Sequence, residues 1–380
     1  MKIQNTKILI TGGAGFIGKK LALQLASLGA KVIVFDCLTE QIHGHNPKPP
    51  IEFNGAIKFI YGNVLNYDEF NSAIRDAEVV IHLAAETGVG QSMYQISRYS
   101  ATNIMGTANL LDILTNTPNK TRKIILASSR AIYGEGAYEC SKCGKVYPKN
   151  RKKDDLRLGK WEPKCPLCKR RISFLAIDEN CLPNPGSVYA ISKYTQEQMI
   201  EVAGNALKIP YTILRFFNVY GESQALNNPY TGILSVFVSR ILNSQQLNIF
   251  EDGLMFRDFI YIEDVVRSIV VSIENEKSNY QAYNVGTGEK LTVLDLAKIL
   301  LQVCDSKVGF KITGLCRLGD VRHVVADISK ISRELNFRPK YDFREGIARY
   351  LEWAKKQKGV RDYSEKALAE LKKRKLLLIR

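Results

Sequence analysis

Thr11-Gly-Gly-Ala-Gly-Phe-Ile-Gly18 is the stretch on which the fold turns. It follows the apolar run Lys7–Thr11 and opens the amphipathic stretch Ile17–Leu28, so a buried strand feeds a helix through a glycine-rich turn. Gly12 permits the tight turn, Gly15 lets the backbone approach a pyrophosphate, and Gly18 lets helix pack on strand. The helix that begins here offers free N–H groups and a positive dipole end to phosphate oxygens. The spacing, G-x-x-G-x-x-G, is one residue longer than the usual dinucleotide pattern, and a glycine turn can also be purely structural. Asp36 supplies the second half of the signal, ending the next strand eighteen residues after Gly18. A carboxylate there accepts both hydroxyls of an adenosine ribose and repels a 2′-phosphate, which favours NAD over NADP.

Outward from this turn the chain keeps alternating. Lys31–Phe35, Lys58–Tyr61, Val79–Leu83, Lys123–Ala127 and Tyr211–Arg215 read as buried strands, and Ile104–Leu114 and a stretch opening near Tyr189 read as helices. The expected fold is α/β, a Rossmann doubly wound parallel sheet. Its NAD-binding domain is expected over 1–136 and 174–221, interrupted by a module at 137–173. A smaller α+β substrate domain interleaved with the sheet follows over 222–355, and a basic C-terminal helix lies within 356–380. The amphipathic stretch Ala367–Ile379 reads as a solvated end rather than a membrane anchor.

Composition bounds the partners. At 45% hydrophobic and 24% charged residues the chain is ordinary for a globular protein, and its apolar runs are too short to span a bilayer. The N-terminus runs straight into a strand without a secretory leader, so a cytoplasmic location is expected. The net charge of +16 suggests nucleic acid at first sight. Its distribution argues otherwise: Glu139–Arg171 holds twelve Lys/Arg against four acids, and Glu365–Arg380 six against two. The body is nearly balanced, and neither nucleic acid nor membrane is an expected partner.

The inserted module carries Cys140-Ser-Lys-Cys143 and Cys165-Pro-Leu-Cys168, two C-x-x-C knuckles separated by twenty-one residues. Four thiolates at that spacing suit a closed, structural zinc site of the zinc-ribbon type; paired disulfides are the plainer reading, disfavoured in a reducing compartment. Cys37, Cys181, Cys304 and Cys316 are scattered and read as core residues. The insert falls between two candidate catalytic segments and should emerge near the mouth of the pocket. It can cap the site, form a subunit contact or offer a basic face to a partner.

Those segments are Ser187-Val-Tyr189-Ala-Ile-Ser-Lys193 and Ala127-Ser-Ser-Arg-Ala-Ile-Tyr-Gly134. Tyr189 and Lys193 stand four apart on one helical face, where an ammonium beside a phenol favours the phenolate and makes tyrosine a base near neutral pH. Y-x-x-x-K alone is a common accident on helices. Ser129, at the end of the fifth strand where sheet-bound ligands sit, gives it meaning.

With these residues together the chain resembles the extended short-chain dehydrogenase/reductases of the sugar-nucleotide epimerase/dehydratase group. The resemblance extends to Gly62-Asn63-Val64 (more often Asp in the family), His82-Leu-Ala-Ala85, Asn103-Ile-Met-Gly-Thr107, Arg215-Phe-Phe-Asn-Val-Tyr-Gly221, Arg257-Asp-Phe259 and Arg317-Leu-Gly-Asp320. It implies a cofactor wall of Phe16, Ile17, Val64, Leu83, Ala84, Ala85, Asn103, Ser128 and Phe216, with Asn63 toward the adenine. It implies that Ser129 hydrogen-bonds the reacting sugar hydroxyl, Tyr189 removes its proton and Lys193 binds the nicotinamide ribose. Asn218, Arg257 and Arg317 would hold a substrate diphosphate and Asp320 the nucleotide ribose, while Phe250 is either against the base or an ordinary core aromatic. Thr87, Gln91 and Ser92, in the segment after the fourth strand, would line the sugar pocket. A homodimer is the expected assembly.

The resemblance also bears on the reaction. Sugar-nucleotide 4,6-dehydratases carry an acidic pair immediately after the Ser/Thr position, where this chain has Arg130 and Ala131. That favours NAD-dependent C4 epimerisation of a nucleotide sugar through a 4-keto intermediate. The insert and Asn228-Pro-Tyr-Thr-Gly232 resemble those of dTDP-L-rhamnose 4-epimerases, which make dTDP-6-deoxy-L-talose. The alternatives are a UDP-hexose or UDP-hexuronate 4-epimerase and, more distantly, a non-catalytic NAD-sensing regulator whose zinc ribbon binds nucleic acid.

Overall fold

Runs of β-branched residues buried on both faces must pair with one another under helices, and in the computed structural model they form one seven-stranded parallel sheet. The structure describes residues 1–53 and 55–378. The strands β1 (Lys7–Thr11), β2 (Lys31–Asp36), β3 (Lys58–Tyr61), β4 (Val79–His82) and β5 (Lys123–Ser129) are joined by Tyr211–Phe216 and Gln281–Val285. Across the sheet the order is Gln281–Val285, Tyr211–Phe216, β5, β4, β1, β2, β3. The direction of winding reverses between β1 and β4, where Ile10 pairs with Ile81, and a crevice opens there beyond the carboxyl ends of the strands.

Alternate strand residues feed opposite layers. Ile8, Ile10, Val34 and Ile81 pack under α1 (Phe16–Ser27) and the helix Ile262–Glu274. Leu9, Val80 and Leu126 pack against the helices Gly106–Asn116 and Val188–Leu207. β5 runs two residues past its expected end and so carries Ser128 and Ser129 to its tip. The helix expected from Ile104 starts at Gly106, because Ser100–Met105 forms a π-turn that points Asn103 inward.

The remainder forms a smaller lobe around Phe237, Tyr261, Leu296 and Tyr350, capping the carboxyl edge of the sheet. The insert is a three-stranded antiparallel unit with Tyr138–Cys140 between Gly144–Val146 and Ser173–Phe174.

The tail departs from expectation. Its helix spans Ser364–Lys373, and Leu377–Leu378 then pairs antiparallel with Cys316–Arg317; Ile379 lies outside the described residues. Ala367, Leu371, Leu377 and Leu378 are buried, and their removal from water outweighs the solvation that a string of lysines suggested. Among the described residues no helix is long and apolar enough to cross a membrane.

Candidate active site

A cleft of about 620 Å³ runs from the glycine turn past the tips of β4 and β5 to the smaller lobe. At its first end α1 begins at Phe16 with Gly15 as cap and no side-chain cap, so its first-turn N–H groups stay available to an anion. Gly12 sits at φ +67°, and a Cβ there would lie 2.8 Å from the Ala84 nitrogen; one on Gly18 would lie 2.5 Å from the Gly12 carbonyl. Asp36 is fixed by N–H groups of Ala14 (2.9 Å) and Leu38 (2.8 Å), one on each oxygen, which leaves lone pairs on both for a diol. These features fit a dinucleotide.

At the centre, Ser187 caps its helix by accepting from the Ala190 N–H at 3.1 Å, which sets Tyr189 in the first turn beside the tip of β5. Desolvation raises the Tyr189 phenol above its ordinary range, while the Ser129 hydroxyl and the Arg130 charge pull it down. Lys193 lines the same cleft as Tyr189, one helical turn further on. Lys193 is buried and its Nζ donates to the Ala127 carbonyl at 2.8 Å, which fixes the ammonium beside the tip of β5. Desolvation draws Lys193 down to about 7, against the pull of Glu197.

A buried polar chain supports this centre. The one hydroxyl hydrogen of Thr107 goes to the Asn103 carbonyl (2.7 Å), so His82 Nε2 must donate to Thr107, and Nδ1 accepts from Thr11, whose own oxygen receives the Ala84 N–H. Burial first, and the Lys193 charge second, lower His82 to about 3, so it stays neutral.

At the far end Arg317 pairs with Asp320 (2.9 Å) and stacks over the Phe250 ring at 5.4 Å. Against burial, Arg317 and Arg257 hold the Asp320 carboxyl below its usual range. Arg257 donates to the carbonyls of Phe256, Arg322 and Val321, and desolvation brings it down to about 10. Asn218 donates to the Asp258 carbonyl at 2.8 Å.

The cleft thus brings together Gly12, Gly15, Phe16, Ile17, Gly18, Asp36, Asn63, Val64, Leu83, Ala84, Ala85, Thr87, Ser128, Ser129, Tyr189, Lys193, Phe216, Asn218, Phe250, Arg257, Arg317 and Asp320. Gln91, Ser92 and Asn103 are not on its wall. Gln91 is tied to Gln41 and the Tyr99 hydroxyl, Ser92 to the Val89 carbonyl, and Asn103 to Glu86 and Ser192, which makes all three supports of the wall. Cys37, expected in the core, lines the cleft.

Sequence reasoning missed two contributors to the wall. Arg130 lines it beside Tyr189, reaches Asn218 at 3.4 Å and forms no ion pair among the described residues. Leu368 and Leu371 come from the tail, whose Glu370 accepts from Tyr94 (2.6 Å) and Tyr230 (3.2 Å). The period of Ala367 and Leu371, with Leu377-Leu378 beyond, was the available signal.

Away from the cleft, the sulfurs of Cys140, Cys143, Cys165 and Cys168 lie within 4.8 Å of one another. The Cys168 N–H points at Cys165 Sγ (3.5 Å) and lowers that thiol.

Comparison with known proteins places this geometry in a family. The model of the NAD dependent epimerase/dehydratase family matches residues 8–151 and 172–286, so the break falls inside the insert. The dTDP-L-rhamnose 4-epimerase of Burkholderia thailandensis is 34% identical over 354 residues, 92% of this chain and 95% of that protein. A putative UDP-glucose 4-epimerase of Methanocaldococcus jannaschii is 32% identical, covering 92% of this chain and 98% of the other. The solved UDP-glucuronic acid 4-epimerase of Bacillus cereus, in complex with UDP-glucuronic acid and NAD, superposes with a TM-score of 0.73 at 27% identity, over 92% of this chain and 99% of that one.

Proposed function

This chain belongs to the NAD dependent epimerase/dehydratase family, and from that premise we propose that it inverts C4 of a nucleotide-diphosphate sugar, dTDP-L-rhamnose going to dTDP-6-deoxy-L-talose. The observation that carries the reading is Ser129 with Tyr189 at the centre of a cleft whose two ends suit a dinucleotide and a diphosphate, with Arg130 and Ala131 where an acidic pair would serve dehydration. Gly12, Gly15, the first turn of α1 and Asp36 would hold NAD, which would supply the acceptor for the C4 hydride and its return. Tyr189 takes the proton of the C4 hydroxyl while Ser129 holds that oxygen. Asn218, Arg257 and Arg317 bind the diphosphate, about which the 4-keto sugar turns, and Tyr189 returns the proton to O4. Val89, Leu368 and Leu371 give the wall an apolar stretch suited to the C6 methyl of a deoxysugar.

A UDP-hexuronate is the second reading, favoured by Arg130, a guanidinium in the cleft without an ion pair among the described residues, which matches a sugar carboxylate. NMR of the purified enzyme with dTDP-L-rhamnose, UDP-glucose, UDP-glucuronate and GDP-mannose separates the two. Reversible inversion of dTDP-L-rhamnose without net NAD consumption is expected. Inversion confined to a UDP sugar promotes the alternative, and an accumulating 4-keto-6-deoxy product discards epimerisation.

We propose as well that Cys140, Cys143, Cys165 and Cys168 hold one structural zinc. Four sulfurs so close together suit a tetrahedral thiolate site with no open position. Elemental analysis should give one zinc per chain; no metal, with all four thiols freely alkylated in the native protein, refutes it.

A further inference from the structure

We propose that the cysteine-bearing insert positions the nucleotide end of the cleft, and that Arg151 is the positioning residue through which it acts. This rests on reading that end as the seat of a nucleoside diphosphate.

Arg151 belongs to the insert, yet its side chain is only 4% exposed and lies under the smaller lobe. Its Nε donates to Glu135 at 2.9 Å, and its two terminal nitrogens grip both oxygens of Glu251 at 2.9 and 2.8 Å. The same guanidinium donates to the Asp320 carbonyl at 2.9 Å and the Trp161 carbonyl at 3.3 Å. Glu251 follows Phe250 and stands at φ +51°, a left-handed conformation that a non-glycine residue keeps only when its surroundings hold it. Asp320 closes the Arg317–Asp320 turn. One side chain of the insert therefore clamps the two loops that present Phe250, Arg317 and Asp320 to the cleft.

A second tie runs parallel. Arg322 bonds Glu251 (3.0 Å), both oxygens of Asp252 (2.7 and 2.8 Å) and Glu162 of the insert (2.7 Å), while the carbonyl of Arg322 receives Arg257. Leu156 and Trp161 of the insert also pack with Cys316 and Leu378, covering the strand that carries Arg317. The loops concerned have little secondary structure of their own, and charge-assisted bonds out of water are directional enough to fix them before a ligand arrives. None of the partners of Arg151 belongs to the glycine turn or to the helix of Tyr189. The effect of the insert should fall on substrate affinity and spare the cofactor and the proton transfer.

The test uses the full chain with its bound NAD, with UDP and dTDP as calorimetric probes. Arg151→Lys keeps the charge, but one ammonium has no planar fork for Glu251 and no reach to Glu135 and Asp320 together. The nucleotide that the unaltered enzyme binds should bind at least tenfold more weakly, KM for the sugar nucleotide should rise in step, and kcat should change less than threefold with NAD content unchanged. Glu162→Gln, at an exposed position, should weaken the same nucleotide about threefold. Unchanged nucleotide affinity in Arg151→Lys overturns the proposal, as does a loss shared equally by NAD content and kcat. If the unaltered enzyme binds neither UDP nor dTDP, the nucleotide reading itself falls and takes this inference with it.

Discussion

At the cofactor end of the cleft, the groups assigned to the dinucleotide phosphates and adenosine ribose stand between residues 12 and 36, on one strand–turn–helix–strand unit. At the nucleotide end, Arg151 meets Glu251 a hundred positions along the chain and Asp320 169 positions along. The first end is held by backbone geometry, where a Cβ on Gly18 has nowhere to go. The second is held by buried charge: Glu135, Glu251 and Arg322 are each at most 2% exposed. Steric demands of a local turn write themselves into glycine spacing. Ion pairs between distant segments leave no such pattern, since any Arg and Glu in the chain look alike until the fold joins them.

Substitutions can break this contrast or sharpen it. Cys165→Ser should have the largest effect: on the proposed assignment it removes a ligand of a structural zinc and so unfolds the insert, at a cost on the order of several kcal/mol. Zinc content and sugar-nucleotide affinity should fall while bound NAD stays; parallel loss of NAD would show that the two ends are one unit. Tyr189→Phe removes the proposed proton acceptor between them and should lower turnover a few hundredfold, ~3 kcal/mol of barrier, with both ligands still bound. Residual turnover within tenfold of the unaltered enzyme would assign the base elsewhere.

Gly18→Ala tests the steric end. Overpacking against Gly12 and Gly13 should destabilise by about 1–3 kcal/mol and lower NAD occupancy, leaving zinc content intact. His82, behind that end, gives a pH signature. Because burial lowers it to about 3 in the folded chain, the unfolded chain takes up a proton between pH 6.5 and 3 that the folded chain refuses. Stability should therefore fall as pH drops, by about 1.6 kcal/mol between pH 6.5 and 5, and His82→Gln should flatten that limb in denaturant titrations. Asp36→Ala should have the smallest effect, eroding the preference for NAD over NADP about tenfold, ~1.4 kcal/mol. Tighter binding of NADP than NAD by the unaltered protein would remove the assigned role of Asp36.

The sequence by itself determined the parallel sheet, the glycine turn and the approach of the Ser129 and Tyr189 segments to one cleft, because strand burial, helix periodicity and glycine spacing are local consequences of backbone geometry. It put Tyr189 and Lys193 on one helical face but gave no sign that Lys193 is also anchored to the Ala127 carbonyl, since helical spacing carries no information about the strand packed against it. It took a lysine-rich tail for a solvated end, since charge is easier to read than the four small apolar contacts that hold Ala367, Leu371, Leu377 and Leu378 inside. Arg151 counted toward a basic face and lies buried between two glutamates. Only the tertiary structure decided that, because the free energy of a charge depends on which partners and how much water surround it, and neither is a property of its place in the chain.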